Sequence, residues 1–230
     1  MYKGKKIVAI TGGYNEEGKI GKVINKIPSY FDEIVAVDDG STDKTQIEIK
    51  KTKAILMINE INRGAGFVLR RGMNYAIKKE YDIAVIIAGD NQDNPKEAIR
   101  LIQPIIEGCD IVQGSRYLKG IKKIPLFRKI STKLFTLCFG FVTGCYLTDA
   151  SNGFRAYKVK SLRKIDFSAK WLDKYELEPY ILIQAIKKGY KINEVPVSKY
   201  YNRKQGYTKM KPVIDWWRIT KPLLKNAFKK

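Results

Sequence analysis

The chain contains no histidine among its 230 residues. This absence excludes histidine-based acid and base catalysis, Ser-His triads and nearly every type of zinc site. Any chemistry must therefore depend on carboxylates, amides, hydroxyls, lysine and arginine. Acidic residues are also scarce, because 23 Asp and Glu stand against 44 Lys and Arg and give a formal net charge of +21. This excess predicts a polyanionic partner, which could be a nucleic acid, an anionic lipid surface or a phosphorylated substrate.

Cysteine and long apolar runs are scarce too. Cys109, Cys138 and Cys145 have spacings that fit neither a disulfide framework nor a CxxC metal motif, so we expect a reducing compartment. The apolar run before Gly12 is too short for a signal peptide, and Leu134–Leu147 is shorter than the roughly 20 residues of a membrane-spanning helix. We therefore expect a cytoplasmic protein that is not secreted, has no transmembrane helix and can still contact the inner face of a membrane.

The first half of the chain alternates short β-branched runs with amphipathic helical segments. This alternation predicts βαβ units on a mostly parallel sheet, and the chain length suits one α/β domain. The predicted strands are Ile7–Thr11, Glu33–Val37, Ala54–Ile58, Ile83–Ala88 and Asp110–Gly114. The predicted helices are Gly18–Lys26, Asp43–Lys51, Gly64–Lys79 and Pro95–Glu107.

The second half is more basic and aromatic. Its patterns predict, in order, an apolar helix near 128–147, a polar loop TDASNGFRAY at 148–157, a helix near 175–188 and a strand Lys191–Val197. A basic loop at 202–211 and a final amphipathic helix follow. We predict a catalytic domain over residues 1–210 and a helical appendage over 211–230.

Polar loops follow four of the predicted strands. Their sequences are GGYNEE, DDGSTD, NRGAG and GDNQDNP. Ligands of open α/β sheets bind outside the carboxyl ends of the strands, so these loops are expected to converge on a binding site. In the second loop, Asp38 and Asp39 could accept hydrogen bonds from a nucleobase N–H and ribose hydroxyls. The alternative for Asp39 is a turn or helix-capping acid.

With the motif VDDGSTD and the loops around it, the sequence resembles family-2 glycosyltransferases, most of all the dolichyl- and polyprenyl-phosphate sugar synthases. The resemblance extends from about Ile7 to Lys211. It implies the GT-A α/β fold, with helices on both faces of a mostly parallel central sheet. It also implies inverting, metal-dependent transfer of a sugar from a nucleoside diphosphate to a polyprenyl phosphate. GDP-mannose and UDP-glucose are the leading donors, and the sequence does not separate them.

The resemblance assigns donor residues in two loops. Tyr14, Glu16, Val37 and Asp39 match the positions that hold the nucleoside.

The loop GDNQDNP resembles the metal loop of the family. Asp90 and Gln92 match ligands of Mg²⁺ or Mn²⁺, which prefer oxygen donors. Ala88 stands where the family usually has an aspartate, and Asp93 is a candidate substitute ligand. The alternative is an Asx turn that caps the helix at Pro95.

Basic residues match the family's phosphate contacts. Arg116, Arg128, Ser131 and Thr132 form the predicted cradle for the acceptor phosphate, with a solvated basic surface as the alternative. The segment NRKQGYTKMK resembles a mobile loop in which Arg203 and Lys209 close over the diphosphate.

Two further segments carry departures or open roles. Ala65 in NRGAG replaces a frequent lysine of the family. In TDASNGFRAY, Asp149 and Arg155 are either polar participants near the sugar or members of a buried ion pair.

The missing histidine agrees with a phosphate acceptor. A phosphate monoester has a second pKa near 6, so it is largely a dianion at pH 7 and is itself the nucleophile. The protein need only align it and stabilise the leaving diphosphate. The predicted catalytic residues are Asp90, Arg116, Arg128, Ser131, Arg203 and Lys209.

Three alternatives remain open. Transfer to a glycan or small-molecule hydroxyl would need a carboxylate base, for which Glu176 and Glu178 are candidates. The changes at Ala65 and Ala88 would also suit a degenerate nucleotide-binding protein without activity. Nucleic-acid binding has only the net charge in its favour, since no motif of such proteins is present, and we predict no nucleic-acid partner. The sequence predicts no oligomeric state.

The C-terminal segment 211–230 has the composition of an interfacial helix. Trp216, Trp217 and Leu224 recur at helical spacing with other apolar residues, and lysines flank them. We predict that it holds the protein on an anionic membrane surface and that Pro222 breaks it into two pieces. The alternative is that the tryptophans pack on the catalytic domain.

Overall fold

The β-branched runs of the sequence form the strands of one sheet. The structure is a computed structural model that describes residues 1–118, 124–201 and 212–227. Within these ranges the sheet has seven strands. They are β1 Ile7–Gly13, β2 Glu33–Asp38, β3 Ile55–Ile58, β4 Ile83–Ile86, β5 Ile111–Ser115, β6 Arg155–Lys158 and β7 Ile192–Pro196. Every predicted strand is present, with its ends shifted by no more than about two residues.

The sheet is mostly parallel, as predicted. Its strand order is β3-β2-β1-β4-β6-β5-β7. Strand β1 pairs in parallel with β2 and β4, β2 with β3, and β5 with β7. Only β6, among the described strands, runs antiparallel to its neighbours β4 and β5. The carboxyl ends of β1, β2 and β4 therefore share one edge, where the polar loops emerge.

The prediction of a loop over 148–157 is wrong at its C-terminal end. Arg155–Lys158 forms β6, and Ala156 lies opposite Val85 of β4 and Val112 of β5. Strands β3 and β4 are equally short but contain isoleucine or valine, whereas the sequence RAYK of β6 contains no β-branched residue. Its pairing on both sides comes from tertiary contacts that the local sequence does not reveal.

Eight α-helices occur in the described residues. They are α1 Ile20–Lys26, α2 Thr45–Lys50, α3 Ala65–Lys78, α4 Ala98–Ile106, α5 Leu126–Thr143, α6 Val159–Leu162, α7 Leu177–Lys187 and α8 Pro212–Ala227. The helix predicted from Pro95 begins with a 3-10 turn, Pro95–Glu97, and the Asn94 side chain accepts a capping hydrogen bond from the Lys96 N–H.

Alternate residues of the strands enter two apolar cores. Val8 and Ile10 of β1 belong to the core beneath α3, α5 and α7, whereas Ile7 and Ala9 belong to the core beneath α1 and α4. This period of two places helices on both faces of the sheet. The sheet is therefore a rigid platform, and its loops are held where its parallel strands end.

Helix α8 is continuous, so the predicted break at Pro222 is wrong. A proline inside a helix costs about 3 kcal/mol because a hydrogen bond is lost and the ring is crowded. Packing offsets this cost: Leu223 is only 3% exposed, and Trp216 and Ile219 pack on the same core as α7. Trp217, in contrast, is 59% exposed. Within the ranges given above, no helix combines the length and apolar character needed to cross a bilayer.

Candidate active site

The polar loops at the sheet edge surround a cavity of about 1250 Å³. Three of the four predicted loops contribute several residues each, and DDGSTD contributes Asp39. The first group comprises Gly12, Gly13, Tyr14, Glu16, Asp39, Asn62, Gly64, Ala65, Ala88, Gly89, Asp90 and Gln92. The opposite wall comes from the second half of the chain, including α5, α7 and α8. The expected convergence of the loops is therefore present in the structure.

Asp39 organises the loop between β3 and α3. Its Oδ1 accepts hydrogen bonds from the Asn59 side chain at 2.7 Å and from the Arg63 N–H at 3.0 Å, and its Oδ2 accepts one from the Gly64 N–H at 2.7 Å. The residue is 2% exposed but still lines the cavity. These contacts match the turn-acid alternative, and the nucleoside role of Asp39 stays a prediction.

Two neighbours of Asp39 lie behind the cavity. Asp38 is fully buried, and its Oδ2 accepts hydrogen bonds from the Ser41 N–H at 3.1 Å and the Gln46 side chain at 2.8 Å. The Val37 side chain is fully buried in the core and is not among the cavity-lining residues. The Val37 carbonyl oxygen would stand 2.2 Å from a Cβ on Gly12, so no larger residue fits at position 12.

The loop that carries Tyr14 and Glu16 is fastened to the DDGSTD loop. The Asn15 N–H donates to Ser41 Oγ at 2.9 Å, and the Glu16 N–H donates to Thr45 Oγ1 at 2.7 Å. The Glu16 carboxylate is largely buried and lies 3.2 Å from Lys19 Nζ. The hydroxyls of this second loop thus hold the first loop in place, a role that the sequence did not indicate.

Asp90 and Gln92 lie together on the cavity floor. Asp90 Oδ1 accepts a hydrogen bond from the Gln92 N–H at 3.0 Å, in a tight turn where Asn91 has a φ of 59°. Burial raises the pKa of Asp90, the Lys199 charge acts against this rise and the Asp93 charge adds to it. One carboxylate and one amide fit a Mg²⁺ or Mn²⁺ ion whose shell is completed by phosphate oxygens and water. No group of three acidic or cysteine side chains suited to a metal occurs in the described ranges.

Asp93 is already engaged, which argues against its predicted role as a substitute metal ligand. Its Oδ1 lies 2.8 Å from Lys199 Nζ, and its Oδ2 accepts a hydrogen bond from the Ala88 N–H at 3.2 Å. The Asp93 side chain is 0% exposed and that of Lys199 is 10% exposed. Lys199 lines the cavity, although sequence reasoning did not identify it.

Arg116 forms a buried ion pair with Asp149. Its Nε and Nη2 donate to the two carboxylate oxygens at 2.6 and 2.7 Å, and both side chains are at most 5% exposed. Burial acts against the guanidinium charge, but hydrogen bonding and charge attraction from Asp149 outweigh it and raise the pKa of Arg116. Nη1 and Nη2 also donate to Tyr201 Oη and Ser151 Oγ. Arg116 lines the cavity, but much of its donor capacity is already used.

Arg155 does not pair with Asp149. Its guanidinium donates instead to the carbonyl oxygens of Asn152, Glu178 and Ala150 at 2.9 to 3.1 Å. The ion pair expected in this region therefore involves Arg116, and Arg155 ties the segment before β6 to α7. The position of Arg155 on β6 makes this bracing possible.

The other residues predicted to bind the acceptor phosphate lie near the start of α5. Arg128, Ser131 and Thr132 all line the cavity with Arg116. The Arg128 guanidinium lies 5.2 Å from the centre of the Tyr201 ring, and Thr132 Oγ1 contacts the Tyr117 hydroxyl. The structure therefore brings the predicted phosphate cradle together on one wall. Arg203 and Lys209 lie outside the described residues.

Two further charged side chains face the cavity. Glu178 lines it, whereas Glu176 does not and is only 4% exposed. Lys174 also lines it, and its ammonium nitrogen would stand 3.0 Å from a Cβ on Gly64. Lys174 thus brings a cation next to Ala65, where the resemblance led us to expect a lysine. Sequence reasoning missed it because the two positions are distant along the chain.

Comparison with known proteins agrees with this geometry. Residues 9–166 match the model of glycosyl transferase family 2, and the chain belongs to this family. It is 31% identical over 218 residues to a UDP-N-acetylglucosamine–dolichyl-phosphate N-acetylglucosaminyltransferase of Methanococcus voltae, covering 86% of each chain. It is 30% identical over 224 residues to a dolichyl-phosphate hexose transferase of Haloferax volcanii, covering 95% of this chain and 92% of the relative.

Solved structures confirm the fold. The glucosyl-3-phosphoglycerate synthase of Mycobacterium tuberculosis, in complex with Mn²⁺, UDP and phosphoglyceric acid, superposes with a TM-score of 0.75 at 21% identity. The match covers 98% of this chain and 79% of that one. The fold is therefore the GT-A fold, and the chain is a glycosyltransferase of the hexosyltransferase class.

Proposed function

We propose that this chain transfers a sugar, with inversion, from a nucleoside diphosphate to a polyprenyl or dolichyl phosphate. The observation that carries this proposal is the division of one cavity into two walls. Carboxylates and amides of the sheet loops form one wall, and the basic and apolar residues of α5 and α8 form the other. The names of relatives at about 30% identity, a UDP-N-acetylglucosamine and a hexose transferase acting on dolichyl phosphate, support the same substrate classes.

The donor occupies the wall formed by the sheet loops. Tyr14, Glu16 and Asp39 receive the nucleoside. Asp90 and Gln92, which line the same cavity, face the diphosphate. A Mg²⁺ or Mn²⁺ ion bound there would neutralise charge on the leaving diphosphate. Lys174 adds a positive charge close to the glycine backbone of the third loop. GDP-mannose and UDP-glucose remain the leading donors.

The acceptor phosphate occupies the wall formed by α5. Arg128, Ser131 and the one remaining N–H donor of Arg116 align the phosphate, whose dianion attacks without a protein base. Apolar side chains continue this wall away from the phosphate: Pro125, Phe127, Phe135, Ile214, Trp216 and Ile219. Such a lining suits a prenyl chain and offers nothing to a polar glycan.

An exposed apolar face of α5 extends from this wall. Leu126, Phe127, Ile130, Leu134, Leu137 and Phe141 recur at helical spacing and are 57–82% exposed. Lysines such as Lys129 and Lys133 lie on the same helix. An apolar stripe with basic neighbours is typical of a helix that lies in a membrane interface. We propose that α5, together with the exposed residues Trp217 and Leu224 of α8, contacts an anionic membrane surface.

A donor screen tests the function. Purified protein is incubated with each labelled nucleotide sugar, Mg²⁺ or Mn²⁺, and polyprenyl phosphate in detergent, and label is counted in the organic phase. We expect label in the lipid fraction for one donor, and none when polyprenol without phosphate replaces the acceptor. Transfer to polyprenol at a comparable rate would contradict a phosphate nucleophile.

A second candidate function is transfer to a hydroxyl acceptor. Glu178 favours it, because this carboxylate lines the cavity and its Oε1 accepts no hydrogen bond within the described ranges. A general base would fit this position. In the same screen, labelled product in the aqueous phase with glycan or hydroxy-acid acceptors, lost in Glu178→Gln, would select this alternative.

A further inference from the structure

We propose that Lys199 is a built-in cation of the diphosphate subsite, and that it lets this chain bind a nucleoside diphosphate without a divalent metal. The inference rests on the proposed function, because it assumes that the cavity receives a nucleoside diphosphate. It concerns binding of the donor, whereas metal remains part of turnover. Neither the family resemblance nor the sequence pattern assigned any role to Lys199.

The first observation is that the backbone holds Lys199 against the metal loop. Residues Asp93 and Lys199 form an isolated antiparallel bridge, and the Tyr200 N–H donates to the Gln92 carbonyl at 2.8 Å. The Lys199 ammonium then lies 2.8 Å from Asp93 Oδ1. Because backbone and side chain both fix it, the ammonium is a preorganised part of the cavity floor and not a mobile surface charge.

The second observation is the balance of charge on this floor. The family usually places two aspartates in the loop, but this chain has Ala88 in place of the first. The Ala88 N–H and the Lys199 ammonium bind the two oxygens of Asp93. The negative charge of Asp93 is thereby neutralised, and Asp90 is left as the carboxylate of the loop that can bind a cation. Fewer carboxylates weaken metal binding, whereas the ammonium of Lys199 can donate to phosphate oxygens through the N–H groups that Asp93 does not accept.

The third observation is that the ammonium retains donors for a ligand. A lysine ammonium has three N–H donors, and in the described part of the chain Lys199 uses one of them on Asp93. Its side chain is 10% exposed and lines the cavity together with Asp90 and Gln92. A diphosphate oxygen at this floor would therefore meet a desolvated cation, where a charge-assisted hydrogen bond is strongest.

Isothermal titration with GDP and UDP, in EDTA and in Mg²⁺, tests the proposal without lipid or turnover. Wild-type protein should bind either GDP or UDP in EDTA, with an affinity within about threefold of its affinity for the same nucleotide in Mg²⁺. The nucleotide affinity of Lys199→Met in EDTA should be at least about tenfold lower than that of the wild type, which is the effect of losing one hydrogen bond to a charged group. Mg²⁺ should restore part of this affinity. Lys160→Met, an exposed lysine on α6, is the matched control and should bind as the wild type does.

A second variant guards against a simple folding defect. Asp93→Asn retains an acceptor for the Ala88 N–H but removes the charge that neutralises Lys199. It should bind nucleotide in EDTA at least as tightly as the wild type, and Mn²⁺ binding measured by electron paramagnetic resonance should weaken. Circular dichroism and Tm verify that both variants are folded.

The outcomes separate this inference from the proposed function. Wild-type binding only in Mg²⁺, or unchanged binding in EDTA for folded Lys199→Met, overturns the role of Lys199 and leaves the glycosyltransferase proposal standing. A loss of nucleotide affinity in EDTA that is smaller than about tenfold in Lys199→Met would also overturn it. Absence of nucleotide binding in both conditions overturns both proposals, whereas binding without sugar transfer to lipid overturns the proposed acceptor alone.

Discussion

Asp39 shows how one carboxylate can both shape a loop and serve a ligand. Its two oxygens accept three hydrogen bonds from the segment between β3 and α3. In Asp39→Ala these donors lose their partner, and we expect a loss of about 1–3 kcal/mol in the free energy of unfolding. Nucleotide affinity should fall at least about tenfold, since the predicted ribose acceptor is removed as well.

Urea unfolding and nucleotide titration measure the two effects of Asp39→Ala separately. Asp166→Ala is the control, because Asp166 is a solvent-exposed loop acid that accepts a local hydrogen bond from the Ser168 N–H. Unchanged nucleotide affinity in folded Asp39→Ala would leave this residue with the turn role alone.

Asp90 is the residue whose loss should separate turnover from binding. Asp90→Asn retains an acceptor for the Gln92 N–H but removes the carboxylate that would hold the metal. We expect kcat to fall at least about a hundredfold, the scale seen when one transition-state contact is removed, and stimulation by Mn²⁺ to disappear. EDTA should lower the turnover of the wild type in the same way. Full turnover in EDTA would contradict metal-dependent transfer.

Arg116 and Arg128 differ in what their removal would do. Arg116→Ala leaves the fully buried Asp149 without its partner, which typically costs about 3–5 kcal/mol. We therefore expect a lowered Tm for Arg116→Ala, which obscures any effect on the acceptor. Arg128→Ala should retain its Tm and raise the KM for polyprenyl phosphate about tenfold with unchanged nucleotide affinity. Equal losses of affinity for the nucleotide and for polyprenyl phosphate would indicate that Arg128 contacts the diphosphate of the donor instead.

At the scale of elements, α5 presents its apolar stripe to solvent and offers the clearest membrane contact. Leu137→Ser together with Phe141→Ser removes apolar area that is 60% and 82% exposed and lies outside the cavity lining. We expect liposome sedimentation to fall at least about tenfold at unchanged Tm, because each large apolar side chain contributes about 1.5–3 kcal/mol when buried. Ile47→Ser, an exposed position on α2, is the control. Sedimentation equal to that of the wild type would leave α5 without this role.

The elements also show which local patterns suffice for prediction. Strands β1 to β5 and β7 follow from short β-branched runs, and the loops that follow β1, β2, β3 and β4 are recognisable from their Gly, Asn and Asp content. Strand β6 and the continuity of α8 depend on partners far along the chain. Leu223 is buried against a core that no periodicity identifies, and this packing overrides the local effect of Pro222.

The whole molecule determines what the sequence could not show about the site. Convergence of the loops follows from parallel topology, so Tyr14, Asp39 and Asp90 could be assigned to one cavity before the structure. The pairs Arg116–Asp149 and Asp93–Lys199 join positions 33 and 106 residues apart. Such pairs depend on how β5 and β7 are placed in the sheet, which a spacing pattern does not contain.

The net charge of +21 leads to a prediction for the intact protein. A lysine or arginine near an anionic membrane gains about 1 kcal/mol, and salt screens this attraction over about 8 Å at physiological ionic strength. We therefore expect binding to vesicles containing phosphatidylserine to weaken steeply between low and high NaCl. Residual binding to neutral vesicles should come from the apolar side chains of α5 and α8 and should change little with salt.

Full-length variants are needed for this test, because deletion of 211–230 would expose the core that Trp216 and Leu223 cover. Trp217→Ser with Leu224→Ser removes exposed apolar side chains of α8 and leaves those two buried residues in place. If α8 contributes to the interface, this variant loses the salt-independent part of vesicle binding and retains the salt-dependent part. Unchanged binding at every salt concentration would assign the apolar contact to α5 alone. Binding that does not respond to NaCl would contradict the electrostatic attraction of the basic chain to the membrane.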